Sequence, residues 1–235
     1  MKVGVLLSGC GVYDGSEIHE AVFTLLALEK MGAEAVCIAP NINQHHVINH
    51  LTGEEMPEKR NVLIESARIA RGKITPLEEV NIDELDGLAM PGGFGAAKNL
   101  STWAFKGAES EIHEGVKNLI RKMVHDDKPI AAVCIAPTLL AKALEGTGIK
   151  AILTVGNTEK KSHYDIAGIS AAMESLGAKV VMCDNIDVIE DDVNNIVTSP
   201  CYMMDATIAE VNKGIQKTIS MLVEMIALQA QSVED

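Results

Sequence analysis

Short apolar runs alternate with amphipathic stretches along the whole chain, and this alternation constrains the fold more than any other feature. The runs at residues 2–7, 34–39, 85–90 and 129–133 are almost continuously apolar. Strands read this way when helices cover both faces of a parallel sheet. Between them, helical patterns at residues 14–31 and 61–71 stop at Gly32 and Gly72, where a left-handed residue can close a helix. Asp14 is placed to cap the first of these, with Glu17 three residues on. Residues 111–125 put Ile112, Val116, Leu119, Ile120 and Met123 on one face of a helix. A strand at 129–133 then feeds a helix at 136–144. A short strand near 152–155, a helix over 165–176, a strand at 179–183 and a final helix over 206–228 complete the pattern. Within 187–199, two β-branched runs flank Asp191-Asp192-Val193-Asn194-Asn195 and read as a β-hairpin. The cluster Glu190-Asp191-Asp192 reads as a solvated turn. Residues 40–60 are polar, without a period, and read as a surface excursion. No repeat, low-complexity tract or linker divides the chain. Residues 1–235 therefore read as one doubly wound α/β domain with a mostly parallel sheet and a peripheral β-hairpin.

Composition removes several functions. The chain has 235 residues, with 20 Lys plus Arg against 33 Asp plus Glu, a formal net charge of −13. Such an acid excess argues against nucleic acid and anionic membrane surfaces as partners, since both reward clustered basic residues. Aromatics at 3% leave few platforms for stacking bases. No apolar run approaches the roughly 18 residues of a membrane helix. The N-terminal apolar stretch spans only residues 3–7, short of the minimum of about 7 in a signal peptide, and no transit peptide is seen. Five cysteines (Cys10, Cys37, Cys134, Cys183 and Cys201) form an odd set without a CxxC pair. Free thiols suit a reducing compartment. The expected location is cytoplasmic, or mitochondrial in a eukaryotic cell. His46 and His50 are four residues apart, but no Cys or Glu completes a metal pattern around them, and no metal is expected.

Ligands of doubly wound sheets bind beyond the carboxyl ends of the strands, so the chemistry is sought at three strand–loop junctions. In Pro129-Ile130-Ala131-Ala132-Val133-Cys134-Ile135-Ala136-Pro137 a strand turns directly into a helix with a thiol at the corner. Ala132 and Ala136, two residues to either side, are small enough for the sharp turn of a nucleophile elbow. Pro137 suits the first helical turn. A helix N-terminus favours thiolate, and the Ile135 N–H is a candidate oxyanion donor. The alternative is a buried thiol packed as a small hydrophobe. At the second junction, Pro91-Gly92-Gly93 allows close backbone approach, and Gly92 and Gly93 are candidates for a second oxyanion donor. A plain tight turn explains them equally. At the third, Gly9-x-Gly11-x-x-x-Gly15 is one residue too long for a dinucleotide fingerprint and lacks the acidic residue after the second strand. The following helix carries Glu17, read as a cap, and Glu20, read as either a solvated acid or a partner of a cysteine thiol. Cys10, Lys98 and Cys201 are possible neighbours of the cleft.

Taken together, these junctions resemble the ThiJ/PfpI superfamily. The resemblance is strongest to its ElbB-type branch, described as isoprenoid biosynthesis (enhancing lycopene biosynthesis) proteins with an amidotransferase-like domain. It rests on residues 7–20, on Val47-Ile48-Asn49-His50-Leu51-Thr52-Gly53, on Pro91-Gly92-Gly93-Phe94-Gly95-Ala96-Ala97-Lys98-Asn99-Leu100 and on Cys134-Ile135-Ala136-Pro137. The resemblance implies a flavodoxin-like three-layer sandwich and a homodimer. It implies Cys134 as the reactive thiol, Glu20 as the carboxyl that hydrogen-bonds and protonates it, and Gly92 and Gly93 in the oxyanion region. The implied activity is a weak, cofactor-independent glyoxalase III reaction on a small aldehyde, glyoxal or methylglyoxal to the hydroxy acid, or a protein deglycase. Glu20 would also carry proton transfer. Two departures qualify it. No histidine stands about twenty residues after the elbow, and the first later one is His163. No His-x-Glu lies near the C-terminus, so glutamine amidotransferase activity is not expected. The competing readings are a redox or stress sensor that oxidises a low-pKa Cys134 and an accessory protein of isoprenoid metabolism.

Overall fold

In the computed structural model, which describes residues 1–234, a seven-stranded sheet runs in the order β3 (Thr75–Pro76), β2 (Glu34–Ala39), β1 (Lys2–Leu6), β4 (Gly87–Met90), β5 (Ile130–Val133), β9 (Ile196–Ser199) and β8 (Ile189–Asp191). Every neighbouring pair is parallel except β8–β9. A separate parallel pair joins β6 (Ile152–Leu153) to β7 (Lys179–Val180). The helices are α1 (Ile18–Lys30), α2 (Val62–Ile69), α3 (Phe94–Lys98), α4 (Trp103–Lys106), α5 (Glu114–His125), α6 (Pro137–Leu144), α7 (Ile166–Ser175) and α8 (Ile208–Glu234). α1 carries the chain from β1 to β2, and α5 carries it from β4 to β5, in the opposite direction along the sheet. Right-handed crossovers therefore put the two helices on opposite faces. α8 lies against α1 and the strands β4, β5 and β9, while α5 and α6 pack together.

The sheet interior is apolar on both sides. All residues of β4 and β5 are buried. α5 buries Val116, Leu119, Ile120 and Met123 completely, and each such side chain contributes about 1.5–3 kcal/mol on leaving water. Gly4 in β1 packs closely under Leu85, whose Cδ1 would lie 2.9 Å from a Cβ there and would have to shift. Among the described residues no helix is long and apolar enough to cross a membrane.

Three local expectations change. The hairpin is not wholly peripheral: β9 pairs with β5 from Ile130↔Ile196 to Val133↔Ser199, and only β8 lies at the edge. Asp14 does not cap α1. It is buried and accepts a hydrogen bond from the Ile48 N–H at 2.8 Å, pinning the 40–60 excursion. The cap is Glu17, whose carboxylate accepts the Glu20 N–H at 2.7 Å. Finally, Asp191 is not a solvated turn acid. It is 1% exposed and accepts the Ile152 N–H at 2.7 Å and the Asn194 amide at 2.7 Å, joining the hairpin to β6.

The chain direction reverses between β1 and β4, whose neighbours run outward on either side. A crevice opens at the carboxyl ends of strands at such a point. The segments that end there are Ser8-Gly9 after β1, Pro91-Gly92-Gly93 after β4, Cys134 after β5 and Pro200-Cys201-Tyr202 after β9.

Candidate active site

Cys134 follows β5 without an intervening loop and has φ +61. A side chain costs about 1–2 kcal/mol in this left-handed region, so the surroundings must hold it. The Cys134 N–H donates to Ser199 O at 2.9 Å, and the Ala136 N–H donates to Val133 O at 3.0 Å. Thr138 Oγ1 donates to Ile135 O at 2.7 Å. Ala132 and Ala136 are fully buried, as the elbow geometry requires. The Ile135 N–H has no acceptor among the described residues, which leaves it available to a developing oxyanion.

Glu20 stands behind the sulfur. It is 0% exposed, and Cys134 hydrogen-bonds to its carboxyl. Its Oε2 accepts the Gly92 N–H at 3.0 Å and its Oε1 accepts the Tyr202 N–H at 3.3 Å. Burial, and then the charge of Glu17, push the carboxyl up to about 8, so it holds its proton at neutral pH. Burial, and then Glu20, also push the Cys134 thiol well above its ordinary value, while the Gly93 N–H aimed at the sulfur works the other way. The expectation that a helix N-terminus makes this thiol acidic is therefore overturned: desolvation dominates. Only one negative charge fits in this space, and protonated Glu20 is the state in which sulfur can carry it.

The two glycines have different parts. Gly92 spends its N–H on Glu20 and so is not an oxyanion donor. It is instead the gap through which the carboxyl reaches the thiol. A Cβ there would lie 2.4 Å from Cys134 Cβ and 2.8 Å from Glu20 Oε2. Gly93 has φ +97, and its N–H faces the sulfur.

A cavity of about 450 Å³ opens in front of Cys134, with Gly93, Ile135, Trp103, Tyr164, Tyr202 and Glu17 among its walls. Glu20 and every histidine of the described residues lie outside its lining. Of the three possible neighbours, Cys201 is wholly buried and cannot border the cleft. Cys10 is half-buried, bridged to Ser16, and lines neither this cavity nor the next. Lys98 lines an adjoining pocket with His163. Its Nζ donates to Tyr13 O at 3.0 Å and lies over the Phe94 ring. Phe94 and Tyr164 form the wall shared by the two pockets. The three histidines of the excursion separate: His45 and His46 stack against Phe105, and His50 stands beside Tyr13 and Asp14.

Sequence reasoning missed Tyr202 and undervalued Glu17. Tyr202 supplies an N–H to Glu20, and its hydroxyl hydrogen-bonds His19 Nδ1 at 2.8 Å. It lies 182 positions from Glu20, and no local pattern foretells that contact. Glu17 was readable as a cap, but nothing in its spacing says that it also faces a cavity.

A model of the DJ-1/PfpI family matches residues 10–200. Human glutamine amidotransferase-like class 1 domain-containing protein 3, mitochondrial, is 41% identical over 226 residues, covering 95% of this chain and 83% of its own length. The rat ES1 protein homolog, mitochondrial, is also 41% identical, covering 95% of this chain and 84% of its own. An isoprenoid biosynthesis protein with amidotransferase-like domain from Ehrlichia chaffeensis is 37% identical, with a TM-score of 0.85 over 95% of this chain and 99% of that one. Drosophila melanogaster DJ-1beta, at 19% identity and TM-score 0.57 over 99% of this chain and 96% of its own, shares the fold.

Proposed function

The chain belongs to the DJ-1/PfpI family, a group whose members include glyoxalase- and deglycase-like proteins, and on that footing we propose that it converts small α-oxoaldehydes to hydroxy acids through Cys134. The observation that carries this reading is the strained Cys134 at the wall of a largely apolar cavity, with the Gly93 N–H and the Glu20 carboxyl both at its sulfur. In the state where Glu20 is ionised, the thiol passes its proton to that carboxylate, and the thiolate attacks the aldehyde carbon. The Ile135 N–H, which has no acceptor among the described residues, is available to the oxygen as it gains charge. The resulting hemithioacetal isomerises to a thioester by moving a proton between adjacent carbons. Water then releases glycolate from glyoxal or lactate from methylglyoxal.

Small aldehydes suit the cavity better than glycated protein side chains, which would have to reach a cysteine that is only 6% exposed. The same burial weakens the redox-sensor reading, because oxidation follows thiolate character and access. The isoprenoid link rests on the description of the Ehrlichia protein and on no residue of this site. Five free cysteines suit a reducing compartment, whether the cytoplasm or the mitochondrion after which the human and rat relatives are named.

Release of glycolate and lactate by pure wild type and Cys134→Ser, without added thiol or metal, tests the proposal. Turnover by wild type and none by the variant is expected. Equal rates, or none from either, would overturn it.

A further inference from the structure

The geometry points to Glu17, rather than Glu20, as the catalytic base that moves the carbon-bound proton of the substrate, an assignment that rests on the α-oxoaldehyde reading above. Glu20 sits behind the sulfur, fully buried and outside the cavity lining. A substrate carbon held in the cavity meets a wall that does not include Glu20. Glu17, one turn earlier, lines the cavity together with Cys134.

The surroundings of the two carboxyls divide the work further. Glu17 is buried, which raises its pKa, but its carboxylate receives N–H groups from Glu20, His19 and Ile18 at the start of α1, and His19 Nδ1 lies 3.8 Å from Oε1. These contacts favour the charged form, while burial, the largest influence, leaves the pKa above its ordinary value. Glu20 carries its proton at neutral pH partly because Glu17 is charged beside it. Two carboxyls whose environments separate them in this way take the roles of base and acid. The cap uses Glu17 Oε2, at 2.7 Å from the Glu20 N–H, while Oε1 lies 3.8 Å from His19 Nδ1.

The step balances without an external oxidant or reductant. After Cys134 has added to one carbonyl carbon, Glu17 takes the hydrogen from that carbon, and the electron pair forms the carbon–carbon double bond of an enediolate. Glu17 returns the proton to the neighbouring carbon as the first carbon becomes the thioester carbonyl. The first carbon is oxidised and its neighbour reduced. Water hydrolyses the thioester and Cys134 regains its proton. Asp165 is the other carboxylate on the cavity wall, and it is engaged in capping α7 through the Gly168 N–H at 2.9 Å.

The test compares wild type, Glu17→Gln, Glu17→Asp and Asp165→Asn. Glutamine keeps a carbonyl oxygen for the cap, and thermal unfolding checks that α1 is intact. Two quantities are read: hydroxy acid released from glyoxal, and protection of Cys134 by glyoxal against alkylation by iodoacetamide. Glu17→Gln should lose about a hundredfold or more in release, within the usual range for a general base, while glyoxal still protects the thiol. Glu17→Asp should recover part of the rate. Release by Glu17→Gln within about threefold of an active wild type overturns the assignment and leaves the α-oxoaldehyde reading standing. Loss of protection together with release also overturns it, since Glu17 would then act through binding or fold. A large loss in Asp165→Asn with an active Glu17→Gln moves the role to Asp165. An inert wild type removes both the reading and the assignment.

Discussion

Glu20 should make this protein less stable as pH rises, and replacing it by glutamine should remove that dependence. The carboxyl is 0% exposed and is pushed up from 4.5 to about 8 by burial and by Glu17. The folded state thus holds this proton more tightly than the unfolded chain does. Unfolding releases the proton between about pH 4.5 and 8, so raising pH across that window favours unfolding. At roughly 1.4 kcal/mol per pH unit, the whole window is worth about 5 kcal/mol. In Glu20→Gln, the side-chain carbonyl can still accept the Gly92 N–H, but its NH₂ faces the Tyr202 N–H, a loss of about 1 kcal/mol. The variant should therefore be slightly less stable than wild type at pH 5 and more stable at pH 8. Urea unfolding of both proteins at pH 5, 6, 7 and 8 reads this directly, because contributions from the other carboxyls cancel in the difference. Parallel curves for the two proteins would refute the claim that the folded site keeps Glu20 protonated.

Gly92→Ala should cost about 1–3 kcal/mol through overpacking, since its Cβ would lie 2.4 Å from that of Cys134. It should also slow alkylation of Cys134 more than the stability loss alone explains; unchanged alkylation with a normal melting temperature would remove Gly92 from the site. Asp191→Ala should destabilise the fold by about 1–3 kcal/mol, because the buried Ile152 N–H and the Asn194 amide lose their acceptor. Denaturant titration checks this, and a change below about 0.5 kcal/mol would show that water replaces the carboxylate.

The sequence carried the fold well where a local signal and a tertiary need coincide. β2 occupies Glu34–Ala39 as its apolar run predicts, and α2 begins after Asn61, whose side chain caps the Ile64 N–H at 3.1 Å. The elbow was legible for the same reason: Ala132, Cys134, Ala136 and Pro137 each satisfy a local steric demand of the turn. Failures occurred where two local signals competed and a distant contact decided between them. Asp14 and Glu17 both suit a helix start, and the choice fell to the Ile48 N–H, 34 residues away, which claims Asp14. Asp191 looked like any turn acid until β6 brought an unpaired N–H to it. The acidity of Cys134 was misjudged because a helix N-terminus is visible in a sequence and desolvation is not. The short helices α3 and α4 were missed because neither is long enough to show a period.

The placement of charge explains why this site can do without a histidine at the cavity. A histidine beside a cysteine makes thiolate by supplying a positive partner, as an ion pair. Here no cationic group of the described residues is seen to act on the sulfur, and the proposed reaction instead moves one proton between two acids of which only one can be charged. Glu20 is the acid held protonated, by its burial first and by charge on Glu17 at the cavity wall second. Such an arrangement would hold little thiolate at rest and react slowly below about pH 8, where the buried carboxyl is half ionised. The same reasoning assigns the three residues to separate tasks by depth alone. On the proposed reaction the innermost, Glu20, would handle the proton of sulfur, Cys134 would form the bond, and Glu17, which faces the cavity, would be left to handle carbon.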